Sequence, residues 1–226
     1  MSKHRVEAVE RALTLLECFN QQKRSLSLTE LAEATGMYKS TVLRLAASLE
    51  RFHFLVRGQD GRYGVGQSLW RLGQLYHSKF NVEQNVRPEL IELMELSGET
   101  ASLYVREGNL RVCLYRENSR RAARHHLEEG VTLPLTSGAS GHILAAFGEP
   151  LEQSAQTVRE QGYAVSLGER DPDLAAVAVP LFSSSGVFIG ALTLSGIITR
   201  FTPENRAMMI QALNEATKRL SQQIMD

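Results

Sequence analysis

The stretch LTELAEATGMYKSTVLRLAASLE, residues 28–50, sets two short runs of helical period on either side of Gly36. Ser27 stands three residues before Glu30, the spacing of a capping box in which each residue satisfies an N–H at the start of a helix. Gly36 suits the left-handed position that ends one. A second helix is predicted from near Tyr38, with Val42, Leu45, Ala46 and Leu49 on one face. Its opposite face carries Ser40, Arg44, Ala47, Ser48 and Arg51, with Lys39 and Thr41 at the shoulders and no acid among them. A helix meant only for solvent usually mixes Glu with Lys. A helix meant for the major groove needs small residues for close approach, Arg for a guanine edge and hydroxyls for phosphates. The spacing alone also fits a helical hairpin inside a core.

The segment HFLVRGQDGRYGVG separates these readings. His53–Arg57 alternates as a strand, GQDG turns, and RYGV returns, with Arg57 and Arg62 near the tip. A hairpin directly after a helix-turn-helix is a wing, and its arginines can reach phosphates or the minor groove. A core hairpin gives no reason for this basic appendage. Upstream, Val6, Val9, Leu13 and Leu16 share one helical face.

Charge follows the same division. Net charge is zero, yet residues 1–66 hold ten Lys and Arg against seven acids, leaving +3 there and −3 in the remainder. A basic head on an acidic body fits a polyanion-binding module joined to a sensor. The 226 residues suffice for two domains, and 43% hydrophobic with 22% charged residues is an ordinary globular composition. Cys18 and Cys113 read as two buried thiols in a reducing compartment, with neither a disulfide framework nor zinc spacing. No apolar run approaches the roughly 20 residues of a membrane span, and MSKHRVEAVERAL is too charged for a secretory signal, so the expected location is cytoplasmic.

LTELAEATGMYKSTVLRLAASLE, followed by GRYGVG and SLWRLGQL, resembles the winged-helix head of the IclR family of bacterial transcriptional regulators. LPLTSGASGHILAAFG, GYAVSLGERDPDLAAVAVPLF and GALTLSG resemble that family's effector-binding domain. The resemblance implies an α+β chain of two domains: a winged helix-turn-helix over 1–66, a linker helix over 67–85, and a GAF-like α/β effector-binding domain over 86–226. It implies a homodimer, or a dimer of dimers forming a homotetramer, on palindromic or repeated double-stranded DNA. A small organic or aromatic acid would alter DNA affinity or assembly, as in a repressor. The DNA contacts would come from Lys39, Ser40, Thr41, Arg44, Ser48, Arg57 and Arg62.

The residues after Gly66 carry their own pattern. Ser68 is predicted to cap a helix with Leu69, Leu72, Leu75 and Tyr76 on one face, a dimerising connector, and Pro88 to start the next helix. From Thr100 the period becomes that of strands, turning at Gly108–Asn109. Arg111, Arg116, Arg120, Arg121 and Arg124 read as a solvated strand edge or subunit contact, with an anion site as the minority reading. Two apolar strand runs flank SSSG, and an amphipathic helix starts near Pro203.

Within SGASGHILAAF, free N–H groups at a helix start form a ready anion site. The family's effector loop matches there, which nominates Gly138, Ala139, Ser140 and Gly141; the family usually has Lys where this chain has His142. Further family pocket positions fall on Ser166, often an acid, on Ala176, sometimes Cys, and on the hydroxyls Thr193 and Ser195. The pattern expects no cofactor and no metal. Enzymatic chemistry finds little footing. GASGH lacks the last glycine of a nucleophile elbow, and Ser140 and His142, two apart on a helix, point in different directions. The competing function is a ligand-binding GAF-like protein without DNA.

Overall fold

The computed structural model describes residues 5–20, 22–78, 82–149 and 155–224. The chain divides into two compact units, Met1–Lys79 and Phe80–Asp226. Among the described residues no helix is long and apolar enough to cross a membrane.

The first unit contains α1 (Glu7–Leu16), β1 (Ser25–Leu26), α2 (Leu28–Thr35), α3 (Lys39–Arg51), β2 (Leu55–Arg57), β3 (Tyr63–Val65) and α4 (Gln67–Ser78). The capping box forms: Ser27 Oγ accepts from Glu30 N at 3.2 Å, and Glu30 Oε2 accepts from Ser27 N at 2.7 Å. Gly36 ends α2 at φ 68°, where a side chain would strain the backbone. The core gathers Leu15, Leu26, Leu31, Val42, Ala46, Leu55 and Tyr63. β3 lies between β1 and β2 in a small antiparallel sheet, so the wing is stitched to the strand that precedes α2.

Several expectations change here. In α1 the buried side chain is Leu15, whereas Val6, Val9 and Leu13 stay exposed. Ser68 is no cap: α4 already starts at Gln67, and the buried Ser68 hydroxyl donates to the Phe52 carbonyl at 2.8 Å. Cys18 is half-buried, while Cys113 is fully buried.

The second unit comprises α5 (Val82–Ser97), β4 (Thr100–Glu107), β5 (Leu110–Glu117), β6 (Thr132–Pro134), α6 (Ala139–Phe147), α7 (Gln156–Gln161), β7 (Ala164–Leu167), β8 (Leu174–Phe182), β9 (Phe188–Ile197) and α8 (Pro203–Gln223). Pro88 lies inside α5 instead of starting it, and the expected 67–85 linker takes in all of α4 and the first turn of α5. The sheet is antiparallel throughout, in the order β6-β5-β4-β9-β8-β7. Residues of α5 and α8 join one core cluster with Leu103, Tyr115, Val177, Val179, Leu192 and Leu194. Residues of α6 join a second, with Tyr104, Cys113, Ala164, Ala178 and Ala191. Neighbouring strand positions thus feed opposite faces, as the period of two demands.

One irregularity breaks that alternation. Tyr104 pairs with Cys113, but Leu103 pairs with Tyr115, so Leu114 is an extra residue in β5. Arg111 and Arg116 are five apart and would otherwise face opposite sides. The bulge puts both on the α6 face, at 3% and 5% exposure, so neither belongs to a solvated strand edge. Arg120, Arg121 and Arg124 do remain exposed.

The capping box yields a direct check. Ser27→Ala should lower the unfolding free energy of the first unit by about 1 kcal/mol, the usual cost of an N-cap hydroxyl, measured by chemical denaturation. An unchanged midpoint would mean that the hydrogen bonds of Ser27 are replaced by water at no cost.

Candidate functional sites in the two units

In the first unit the outer side of α3 exposes Lys39, Ser40, Leu43, Arg44, Ala47, Ser48 and Arg51, while Thr41 is half-buried. No carboxylate stands among the exposed residues of this helix. Ser48 Oγ donates to the Arg44 carbonyl at 3.2 Å, and Arg44 is exposed with no ion-pair partner among the described residues. At the wing, Arg57 Nε donates to the Gly61 carbonyl at 3.3 Å and its guanidinium lies 5.5 Å from the centroid of the Tyr63 ring. Arg62 differs. Its guanidinium bonds Ser25 Oγ at 3.1 Å, the Ser25 carbonyl at 2.9 Å and Glu30 Oε2 at 2.8 Å. It clamps the wing to α2 and does not stand free at the tip.

In the second unit a cavity of ≈ 40 Å³ opens between the sheet and the start of α6. Seven of the eight expected effector positions line it: Gly138, Ala139, Ser140, Ser166, Ala176, Thr193 and Ser195. The strand register explains the convergence. Thr193 lies between Ser102 and Ala178, and Ser195 between Thr100 and Ala176, which in turn faces Ser166. Alanines on β8 leave the room that the hydroxyls border. Gly141 lies outside the lining and permits close packing instead, since a Cβ there would overlap Arg111 Nη1 and the Leu135 carbonyl. At Gly138 (φ 85°) a Cβ would come within 3.1 Å of Arg111 Nη2. The small residues of SGASG therefore admit a guanidinium.

Tyr104, His125, Arg170 and Asp171 also line the cavity and Glu169 meets its α6 end, none of them nominated from the sequence, while Arg111, which lines it too, reads from the sequence first as a strand edge and only second as part of an anion site. Arg111 Nη1 donates to the Pro134 carbonyl at 2.7 Å and to the Ser137 carbonyl, and the group lies 5.8 Å from the Tyr104 ring centroid. Arg116 donates to Asn118 Oδ1 at 3.0 Å, Ser102 Oγ at 3.0 Å, Tyr104 Oη at 3.3 Å and the His125 carbonyl at 2.6 Å. Both guanidiniums are held by dipoles, with no carboxylate in an ion pair with either among the described residues.

The start of α6 is partly taken. Glu169 Oε2 accepts from Gly138 N at 2.9 Å and meets His142 Nε2 at 2.7 Å. Partial burial works against its charge, but the Gly138 N–H and His142 prevail and hold its carboxyl below the ordinary value. Of the N–H groups expected to form an anion site at that helix start, Glu169 takes that of Gly138 and not those of Ala139, Ser140 or Gly141. His142 turns to Glu169, not to Ser140, so these residues form no nucleophile–base pair. Among the described residues no group of three or more His, Cys, Asp and Glu could hold a metal ion.

His125 lies in the irregular segment after β5. Its Nε2 meets Arg170 Nη2 at 2.6 Å and its Nδ1 meets Ser195 Oγ at 3.1 Å. Arg170 can only donate, so Nε2 accepts, the proton sits on Nδ1, and Ser195 Oγ receives it. Burial first, then Arg116 and Arg170, push the His125 imidazole from 6.5 down to about 3. The unfolded chain binds this proton more readily than the folded one. The contribution to stability is therefore complete above pH 6.5 and drains away as pH falls toward about 3. Thermal melting of His125→Gln should vary less with pH across that window than the wild type. Parallel curves would mean that His125 is protonated in the folded unit.

Known proteins resemble the chain along nearly its whole length. Residues 8–58 match the IclR helix-turn-helix domain, and residues 74–156 and 148–222 match the domain described as bacterial transcriptional regulator IclR C-terminal. The HTH-type transcriptional regulator XynR of Escherichia coli is 26% identical over 242 residues, spanning 96% of this chain and 96% of XynR. A crystal structure of an IclR transcriptional regulator from Alicyclobacillus acidocaldarius is similar at TM-score 0.79 and 26% identity, covering 96% of this chain and 98% of its own. An IclR homolog from Microbacterium hydrocarbonoxydans, complexed with 4-hydroxybenzoate, has the same fold at TM-score 0.79 and 21% identity over 95% of this chain and 98% of its own. With both halves matched in order, the chain belongs to the IclR family of helix-turn-helix transcriptional regulators.

Proposed function

We propose that this chain reads an operator through α3 and the wing, and that a small organic acid in the cavity of the second unit sets its DNA affinity. The observation that carries the reading is the outer face of α3: small residues and hydroxyls around an unpaired Arg44, with no acid. Arg44 is suited to a guanine edge, and Lys39, Ser40, Thr41 and Ser48 to phosphates. Arg57 at the wing serves backbone or minor-groove contact. Arg62 serves the interface indirectly, by holding the wing on α2. The effector reading rests on the electropositive cavity and on the relative complexed with 4-hydroxybenzoate. The role is regulatory and non-enzymatic, in the cytoplasm.

Assembly follows from exposed apolar side chains. Val6, Val9 and Leu13 on α1, and Trp70, Leu72 and Leu75 on α4, are each more than two-fifths exposed, Trp70 reaching 70%. Such surfaces in one small unit support a homodimer, or a dimer of dimers, presenting two α3 helices to a two-fold site.

Gel shifts on the chain's own upstream region provide the test. Arg44→Ala should weaken specific binding by about 1–3 kcal/mol per half-site and change non-specific binding less. Arg57→Ala should weaken all sequences alike and flatten the salt dependence. Retained operator discrimination in Arg44→Ala would remove α3 from the reading role. Light scattering on the full chain should give at least a dimer, and Trp70→Glu with Leu13→Glu should shift it toward monomer. A monomeric wild type that still binds tightly would overturn the assembly.

A further inference from the structure

Arg111 is more than a structural strut. It is 3% exposed and its Nε is buried without a hydrogen-bond partner. Only Nη1 is engaged, with the carbonyls of Pro134 and Ser137. A buried donor on a cation left unmatched is costly, and among the described residues no carboxylate forms an ion pair with it. Desolvation accordingly lowers its affinity for its proton, with Arg170 adding to the effect. The guanidinium also lines the cavity.

The neighbouring groups complete the pattern. Arg170 donates into His125, the His125 Nδ1–H donates into Ser195 Oγ, and the Ser195 hydroxyl proton is therefore free for a further acceptor. Thr193 donates weakly to the Ala191 carbonyl at 3.4 Å. At the helix start, Glu169 already accepts from Gly138 N. The cavity thus offers the Arg111 guanidinium and a hydroxyl donor, with the Asp171 carboxylate also in its lining and the Gly138 amide closed to an incoming anion.

Resting on the reading of this cavity as the effector site, we infer that Arg111 is the receptor for the negative charge of the effector, with Ser195 donating to a second oxygen of the same molecule. The ligand class is a small carboxylic acid with a second oxygen that can accept from Ser195. The start of α6 only borders it. The carboxylate takes the place that dipoles leave open beside Arg111, and the amide of the same acid has no charge to offer there.

The test uses the full chain and acid–amide pairs, lactate with lactamide and glycolate with glycolamide, by calorimetry and thermal shift. Wild type should prefer each acid to its amide by at least tenfold. Arg111→Gln should lose roughly 10- to 150-fold in acid affinity, as for a charge-assisted hydrogen bond, and the preference should fall to near unity. Arg111→Lys keeps a charge in place and should retain the preference at reduced affinity. Should either variant fold poorly, the wild type still answers. Its Arg111 Nε–H resonance, assigned through contacts to the Tyr104 ring, should shift with lactate and stay put with lactamide. Acid binding with an undiminished preference in folded Arg111→Gln, or an unmoved Nε–H during saturation, overturns the role of Arg111 and leaves the cavity as effector site intact. Failure of every acid to bind the wild type overturns both.

Discussion

A single extra residue in β5, Leu114, governs what the second unit can hold. In a regular strand, Arg111 and Arg116 would point to opposite sides, one of them toward Leu103, Tyr115 and the α5–α8 layer. An apolar core of that kind has no dipoles for a guanidinium, and the cost of burying one there would be several kcal/mol. The bulge spares that core. It gathers both cations on the face where Ser102, Tyr104, Thr193 and loop carbonyls can solvate them. Everything polar on this face follows. Alanines on β8 leave space, and Gly138 and Gly141 let the α6 start approach Arg111. His125 stays neutral because burial and the neighbouring cations both disfavour its charged form.

The first unit rests on a similar economy of few groups. One carboxylate, Glu30, accepts the Ser27 N–H that begins α2 and the Arg62 guanidinium that comes from the wing. Exposed pairs of this kind add little stability by themselves. Their value here is geometric. They fix the direction of the wing relative to α2, and α2 fixes α3 through Leu31, Val42 and Ala46. A recognition surface needs that fixed relation more than it needs stability, since base contacts fail with small errors of placement.

How much of this was readable in the sequence depended on the range of the interaction. The capping box, the Gly36 turn, the wing and the Gly108 turn are set by neighbours within a few residues, and the sequence states them directly. The family's pocket positions landed around one cavity because the register of β9 and β8 places Ser195, Ala176 and Ser166 side by side. Arg111 and Arg116 looked like surface residues because strand alternation cannot reveal a bulge. Glu169 is 31 residues from the Gly138 N–H it caps, and His125 is 70 from Ser195; no local pattern announces either. A hint did exist. Between Arg111 and Arg116 run four apolar residues, Val112 to Tyr115, an odd choice for an edge exposed to water. In α1, Val6, Val9 and Leu13 do share one face, but the core takes Leu15 and that stripe stays exposed.

The cavity also bears on how a ligand can act on DNA at all. A ligand shifts an equilibrium only by its difference in affinity between states, and each site feels the other by the same factor. A pocket already satisfied would gain little from being filled. This one holds an unmatched Arg111 Nε–H and a Ser195 hydroxyl proton with no acceptor among the described residues, beside the Asp171 carboxylate, so donors remain for an added oxygen. Any rearrangement that brings Glu169, or another internal carboxylate, toward Arg111 relieves the same imbalance without a ligand. The empty unit therefore has reason to adopt a second arrangement, and an external anion has reason to oppose it. That competition between an internal carboxylate and an external one is a physical source of differential affinity.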